Sequence, residues 1–381
     1  MAIMTRKTQT GETRYDTVIR VNGRQVKRTF RRKRDAERWE RESITRRDRG
    51  EWFSSGGMTV SEYLDKYVKQ IQPSLKQKTI DNYRTMARRL GEEFEGMLLE
   101  DLGAMHIQDY YTKQAKKWKP KTIRNYHRFL HQALSNAVRM SLIGRNVADL
   151  VTPPKVPRTE QDALTPKEAR WLMEEVKDNK RLYLPTLLGL AMGMRLGEAY
   201  GLRWQDVNLD EGSLHIKQEI QRNSMGLEYP EPKSLRSKRH MMIPGPLVDI
   251  LRQHKKEQAQ QRKLMGDAYQ DYDLINCQTN GRPWHPPDSS TMFKKAAAKA
   301  LQKLEDQKPE EERGEIKKIT FHNLRHTNVT LLMKANIHSL KISRWVGHAD
   351  TQLVDKIYAH VHKDAQGEIV GQIERDLFAA Q

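Results

Sequence analysis

Residues Val151-Thr152-Pro153-Pro154-Lys155-Val156-Pro157-Arg158 divide this chain of 381 residues. Prolines lack an amide hydrogen and hold φ at about −65°, so three of them in eight positions cannot continue a helix and favour extended backbone. The chain on either side carries different apolar periodicities, so it must build separate cores. Directly after the break, Thr165-Pro166-Lys167-Glu168 starts a new helix, with Thr as cap, Pro at the first helical position and Glu at the third.

Upstream, Gly56-Gly57 marks a linker, and Thr59-Val60-Ser61-Glu62 is a capping box in which hydroxyl and carboxylate satisfy orphan amides. Val60, Tyr63, Leu64, Tyr67, Val68 and Ile71 follow at helical spacing. A second helix is predicted over 77–90, with Ile80, Tyr83, Met86, Ala87 and Leu90 inward, and a third over 105–116. The fourth holds Ile123, Tyr126, Phe129, Leu130, Ala133, Leu134, Ala137 and Val138 on one face. Residues 58–150 therefore read as an all-α domain of about four helices. Lys116, Lys117, Lys119, Lys121 and Arg124 collect near the start of the fourth helix, suited either to solvent or to phosphate.

Residues 1–55 form a third segment. Strands over 14–21 and 25–30 flank Asn22-Gly23, a dipeptide that tolerates the positive φ of a tight hairpin, and a basic helix is expected over 34–49. Tyr15, Val18, Val26, Phe30 and Trp39 could supply a small core. After the proline break, residues 163–381 mix helices, including an apolar one over 182–192, with strands over 213–220 and 239–243. The fold class is thus multidomain: a small basic β-sheet-plus-helix module, an all-α domain, a linker over 151–162, and a mainly helical α+β domain.

Charge limits the partners. The chain carries 68 basic and 49 acidic side chains, a net charge of +19. A field of that sign points to a polyanion, most often nucleic acid, bound with marked salt dependence. No run approaches the ~18 apolar residues of a membrane span, and the opening residues lack the apolar core of a secretory signal. Cys277 is the single cysteine, which excludes an internal disulfide or a cysteine zinc cluster. The expectation is a soluble cytoplasmic protein, nucleoid-associated when bound to DNA, with no membrane partner.

The chemistry gathers in the last domain. His322 and Arg325 are three apart, so on a helix they share a face and can address one phosphate. Arg195 follows an apolar helix and Gly193, Lys233 sits in a loop between predicted strands, His348 follows Gly347, and Tyr358 lies downstream. Taken singly, each has an ordinary role open to it: ion-pair partner, solvated lysine, half-buried histidine, packed ring. Tyr200, Tyr229, Tyr269 and Tyr272 are equal to Tyr358 by residue type.

Taken in order, Arg195, Lys233, His322-x-x-Arg325, Gly347-His348 and Tyr358, with Leu202-Arg203-Trp204-Gln205-Asp206-Val207, resemble the tyrosine recombinase (phage integrase) family. The resemblance covers the last domain and extends more loosely to the helical domain and the basic module, which resemble that family's core-binding and arm-binding domains. It implies a site-specific DNA recombinase, an integrase of a phage or integrative or conjugative element. Tyr358 would attack a phosphodiester to give a 3′-phosphotyrosyl link, with Arg195 and Arg325 bracing the phosphate. His322 would accept the Tyr358 proton, His348 would add a hydrogen bond, and Lys233 would protonate the leaving 5′-oxygen, with Lys238 close enough in sequence to compete for that role. Glu198 and His326 match supporting positions, with Glu198 orienting neighbours. Met192 stands where the family more often has Thr. No cofactor or metal is implied. The implied partners are double-stranded attachment sites, a homotetramer on DNA, and an excision factor or DNA-bending protein. Ile369, Ile373, Leu377 and Phe378 form a stripe that could dock on a neighbouring subunit or on its own domain. The competing readings are a type IB topoisomerase and a catalytically silent DNA-binding regulator.

Overall fold

Each predicted capping box closes in three dimensions. In the computed structural model, which describes residues 3–8, 11–21, 24–48, 56–157, 162–231 and 237–347, the Thr59 amide donates to Glu62 Oε2 at 2.8 Å and the Glu62 amide to Thr59 Oγ1 at 3.2 Å. The same exchange joins Thr165 and Glu168 at 2.6 and 3.2 Å. The chain divides into two units, Met1–Arg158 and Thr159–Gln381, so the proline-rich break falls at the end of the first.

In the first unit, β1 (Met4–Lys7), β2 (Thr13–Val21) and β3 (Arg24–Phe30) form an antiparallel sheet in that order, and α1 (Lys33–Asp48) lies against it. β1 was not visible in the sequence, because its Met-Thr-Arg-Lys run lacks an apolar alternation. The core of this module also differs from expectation. Ile19 rather than Val18 is fully buried, together with Ala36, because Ile19 shares a sheet face with Tyr15 and Thr17, whereas Val18 faces the other way. Phe30 and Trp39 meet at 5.8 Å between ring centroids. Arg28 binds both oxygens of Asp101 at 2.8 Å, tying β3 to the helical part. That part comprises α2 (Val60–Ile71), α3 (Gln77–Glu93), α4 (Ala104–Ala115) and α5 (Pro120–Arg139). The apolar faces foreseen for α2 and α5 are buried, and Leu90, Leu99 and Ile107 close the same core.

The second unit contains α6 (Pro166–Val176), α7 (Tyr183–Met192) and α8 (Leu196–Gly201). Strands β4 (Val207–Asn208), β5 (Ser213–Ile216) and β8 (Arg239–Met242) make one antiparallel sheet, and β6 (Gln221–Asn223) with β7 (Gly226–Glu228) makes a separate hairpin. The strand expected over 213–220 therefore stops at Ile216. The reason lies at α8: the Ile220 amide donates to Gly197 O at 2.9 Å, so the chain there pairs with a helix rather than a strand. Any Cβ on Gly197 would stand 2.9 Å from Ile220 O, which requires glycine there. Helices α9 (Gly245–Met265), α10 (Pro286–Asp306), α11 (Phe321–Lys334) and α12 (Ser339–Val346) complete the unit. Leu188, Met192, Leu214, Phe293, Phe321 and Leu324 lie in its core. No helix among the described residues is long and apolar enough to cross a membrane.

Candidate active site

The site is built where α11 crosses the end of α7. A Cβ at Gly189 would stand 2.9 Å from Leu324 Cδ1, so glycine lets the two helices approach closely. Helix α7 ends on Gly193 in the left-handed region, φ 61°. Its last carbonyls have no partner within the helix, and α11 supplies one: Asn328 Nδ2 donates to Leu190 O at 2.8 Å and Ala191 O at 3.0 Å. One turn away, Arg325 Nη1 donates to Gly193 O at 2.9 Å. Arg325, only 1% exposed, therefore fixes the turn that delivers Arg195. Trp345 of α12 completes the arrangement by donating to Asn328 Oδ1 at 3.1 Å.

Arg195 caps α8 and is itself held by Glu198. Its amide donates to Glu198 Oε2 at 3.0 Å, and its Nη1 to Glu198 Oε1 at 2.6 Å. From the other side Arg239 grips the same carboxylate, Nη2 to Oε2 at 2.9 Å and Nη1 to Oε1 at 3.1 Å. Burial pushes the Glu198 pKa up, but the Arg239 and Arg195 charges and hydrogen bonds outweigh it and bring it down to about 2. Glu198 is thus a permanent carboxylate between two guanidiniums.

His322 and His326 sit one turn apart on α11, rings edge to face at 4.7 Å. His322 is exposed and His326 buried. Loss of hydration, then the charges of Arg325 and Arg195, hold the His322 pKa below its ordinary value, with Glu198 opposing them. The fields of Arg195, Arg325 and Glu198 thus meet at His322. Burial first, then His322 and Arg325, lower the His326 pKa to about 4. Both imidazoles are neutral at physiological pH. Among the described residues, no group of His, Cys, Asp and Glu side chains is arranged to hold a metal ion.

Three of the six expected site residues, Arg195, His322 and Arg325, come together in this way. Lys233, His348 and Tyr358 lie outside the described residues, as does the stripe of Ile369, Ile373, Leu377 and Phe378. Lys238, the alternative to Lys233, is paired with Glu231 at 2.7 Å. Arg239 and Asn328 were missed in the sequence. Asn328 sits three residues after Arg325, a spacing that puts both on one helix face. Arg239 gave no such signal, since its partner lies 41 residues earlier.

Residues 162–365, more than half of the chain, match the phage integrase family, and residues 59–115 match the N-terminal SAM-like domain of phage integrases. A tyrosine recombinase XerC-like protein of Caldanaerobacter subterraneus subsp. tengcongensis is 23% identical, over 95% of this chain and 96% of its own. The integrase of Staphylococcus phage L54a is 24% identical over 83% of this chain and 91% of its own. Among solved structures, the Tn1549 transposon integrase in complex with a circular intermediate DNA superposes with a TM-score of 0.69 at 19% identity, covering 83% of this chain and 99% of that one. A lambda integrase tetramer bound to a Holliday junction gives 0.58 at 19% identity, covering 93% and 94%. The chain belongs to the phage integrase family of tyrosine recombinases, enzymes that cleave and rejoin DNA at specific sites to integrate or excise a mobile element.

Proposed function

We propose that this recombinase works by transesterification at Tyr358, with Arg195, Arg325, His322, His348 and Lys233 around the scissile phosphate. The supporting observation is the convergence of two guanidiniums and a neutral imidazole around the Gly193 turn. The Tyr358 oxygen attacks phosphorus, the bond from phosphorus to the 5′-oxygen breaks, and a 3′-phosphotyrosyl link forms. The Tyr358 proton passes to His322, and Lys233 delivers a proton to the departing 5′-oxygen. Phosphate stays esterified throughout, so the reverse reaction reseals a strand without a nucleotide cofactor. Arg195 and Arg325 stabilise the charge that builds on the non-bridging oxygens, and each such donor contributes on the order of 10²-fold in rate. His348 adds a hydrogen bond to the same phosphate.

The remaining segments read the DNA. The sheet face opposite α1 carries Arg6, Arg14 and Lys27, suited to arm-type sites in a groove. The helical domain takes the core site, with Lys116, Lys117, Lys119 and Lys121 exposed for phosphates. Four protomers would hold two duplexes during exchange, with an excision factor or DNA-bending protein setting direction.

The test uses duplexes selected by the full chain from a random-sequence pool, each nicked so that the 5′-hydroxyl fragment diffuses away after cleavage. A denaturant-resistant protein–DNA adduct is expected. Absence of an adduct on every selected duplex would favour a silent regulator, and relaxation of a supercoiled plasmid carrying a selected sequence, without recombinants, would favour a topoisomerase. The same assay reads pH dependence. His322 acts as a base only when neutral, so cleavage is lost as pH falls through its lowered pKa. The acid limb of kcat/KM, which reports the free enzyme, should therefore fall below the ordinary histidine value of 6.5. A limb above that value would reject His322 as the base.

A further inference from the structure

Both Glu198 oxygens are shared between two arginines. Oε2 accepts the Arg195 amide and Arg239 Nη2, at 3.0 and 2.9 Å, while Oε1 accepts Arg195 Nη1 and Arg239 Nη1, at 2.6 and 3.1 Å. The two outer charges differ in surroundings. Arg239 is 8% exposed, at the start of β8, whereas the Arg195 side chain keeps 32% of its surface. Among the described residues, Arg195 Nε and Nη2 donate to no protein acceptor.

One carboxylate between two guanidiniums leaves a net charge of one plus. If Arg239 were absent, Glu198 and Arg195 would form a closed neutral pair at the edge of the core. The carboxylate would then draw the remaining Arg195 donors inward, because a buried anion with too few donors is costly. We propose that Arg239 is a positioning residue for DNA cleavage: it holds Glu198 from the interior side, so that Arg195 keeps its charge and its outward donors for the scissile phosphate. This rests on the assignment of Arg195 to the phosphate. In this role Arg239 acts through Glu198 and not on the phosphate itself. Its fork suits the task, because a planar guanidinium meets both carboxylate oxygens at once, which an ammonium cannot.

The experiment is single-turnover cleavage of the selected nicked duplexes by the full chain, with DNA affinity and thermal unfolding measured alongside. Arg239→Met should slow cleavage by about ten-fold or more, with DNA affinity changed by less than about three-fold. Arg239→Lys keeps the charge without the fork and should fall between that variant and the wild type, which keeps the test open if Arg239→Met does not fold. Adding Glu198→Gln to either variant should recover part of the lost rate, since the under-compensated carboxylate is then gone. A merely structural role for Arg239 would show no such recovery. Cleavage by Arg239→Met and Arg239→Lys within about two-fold of wild type overturns the proposal, and so does a loss that Glu198→Gln does not relieve. A wild-type chain that forms no adduct overturns the underlying assignment as well, a result visible without any Arg239 variant.

Discussion

Tyr358→Phe is expected to abolish the covalent adduct while leaving DNA affinity within about two-fold of wild type. The substitution removes one oxygen and keeps the ring, so packing and charge are preserved while the attacking atom is lost. The four tyrosines that rival it by residue type have other surroundings. Tyr200 is buried, its hydroxyl donates to Arg181 O at 2.6 Å, and burial raises its pKa to about 12. Tyr269 is raised to about 12, chiefly by burial and then by Cys277, which neighbours its hydroxyl. Tyr229 and Tyr272 stack on each other at 6.5 Å between centroids. Tyr229→Phe and Tyr272→Phe should accordingly keep the adduct. The measurement is a denaturing gel of labelled nicked duplex after incubation with each variant. A protein-linked band that survives in Tyr358→Phe would reject the nucleophile, and its loss in Tyr272→Phe would redirect the assignment there.

Local rules made much of the fold legible, and distance in sequence marks where legibility ended. The Thr59–Glu62 and Thr165–Glu168 boxes, the apolar faces of α2 and α5, and the Gly193 stop of α7 each depend on residues within one or two turns. The strand over 213–220 looked continuous because Leu214, Ile216 and Ile220 alternate with polar residues. Its last residues are instead captured by Gly197 and Gly201 of α8, a contact that no local pattern announces. Val18 was the expected core residue, but successive residues of β2 point to opposite faces, and the buried face is the one that carries Thr17 and Ile19. At the site, the three-residue spacing of His322 and Arg325 was readable because a helix enforces it. The Arg239 contact was not, since the strand expected over 239–243 gives no sign of its partner until β5 and β8 pair and carry Arg239 toward Glu198. The spacing also concealed an asymmetry. His322 and Arg325 share a helix, yet His322 is exposed while Arg325 is enclosed and spends one donor on Gly193.

That asymmetry makes Arg325→Lys the more informative of the conservative exchanges. Under the proposed mechanism Arg325 has two tasks: Nη1 holds Gly193 O at 2.9 Å, and the guanidinium braces the phosphate. A lysine supplies one compact ammonium on a flexible stem and cannot reach both. If the ammonium stays with Gly193 O, the Arg195 turn keeps its shape but the transition state loses a charged donor. If it turns to the phosphate, Gly193 O is left buried without that bond, a cost of about 1–3 kcal/mol. Either outcome should slow single-turnover cleavage by on the order of 10²-fold. Thermal unfolding separates the two: little change in Tm marks the first and a clear drop marks the second. Arg325→Ala should show both losses together, because it removes the fork and also opens a cavity between α11 and α7. Cleavage by Arg325→Lys close to the wild-type rate would mean that the guanidinium serves the Gly193 turn alone, and the phosphate clamp would then reduce to Arg195 and its Glu198–Arg239 support.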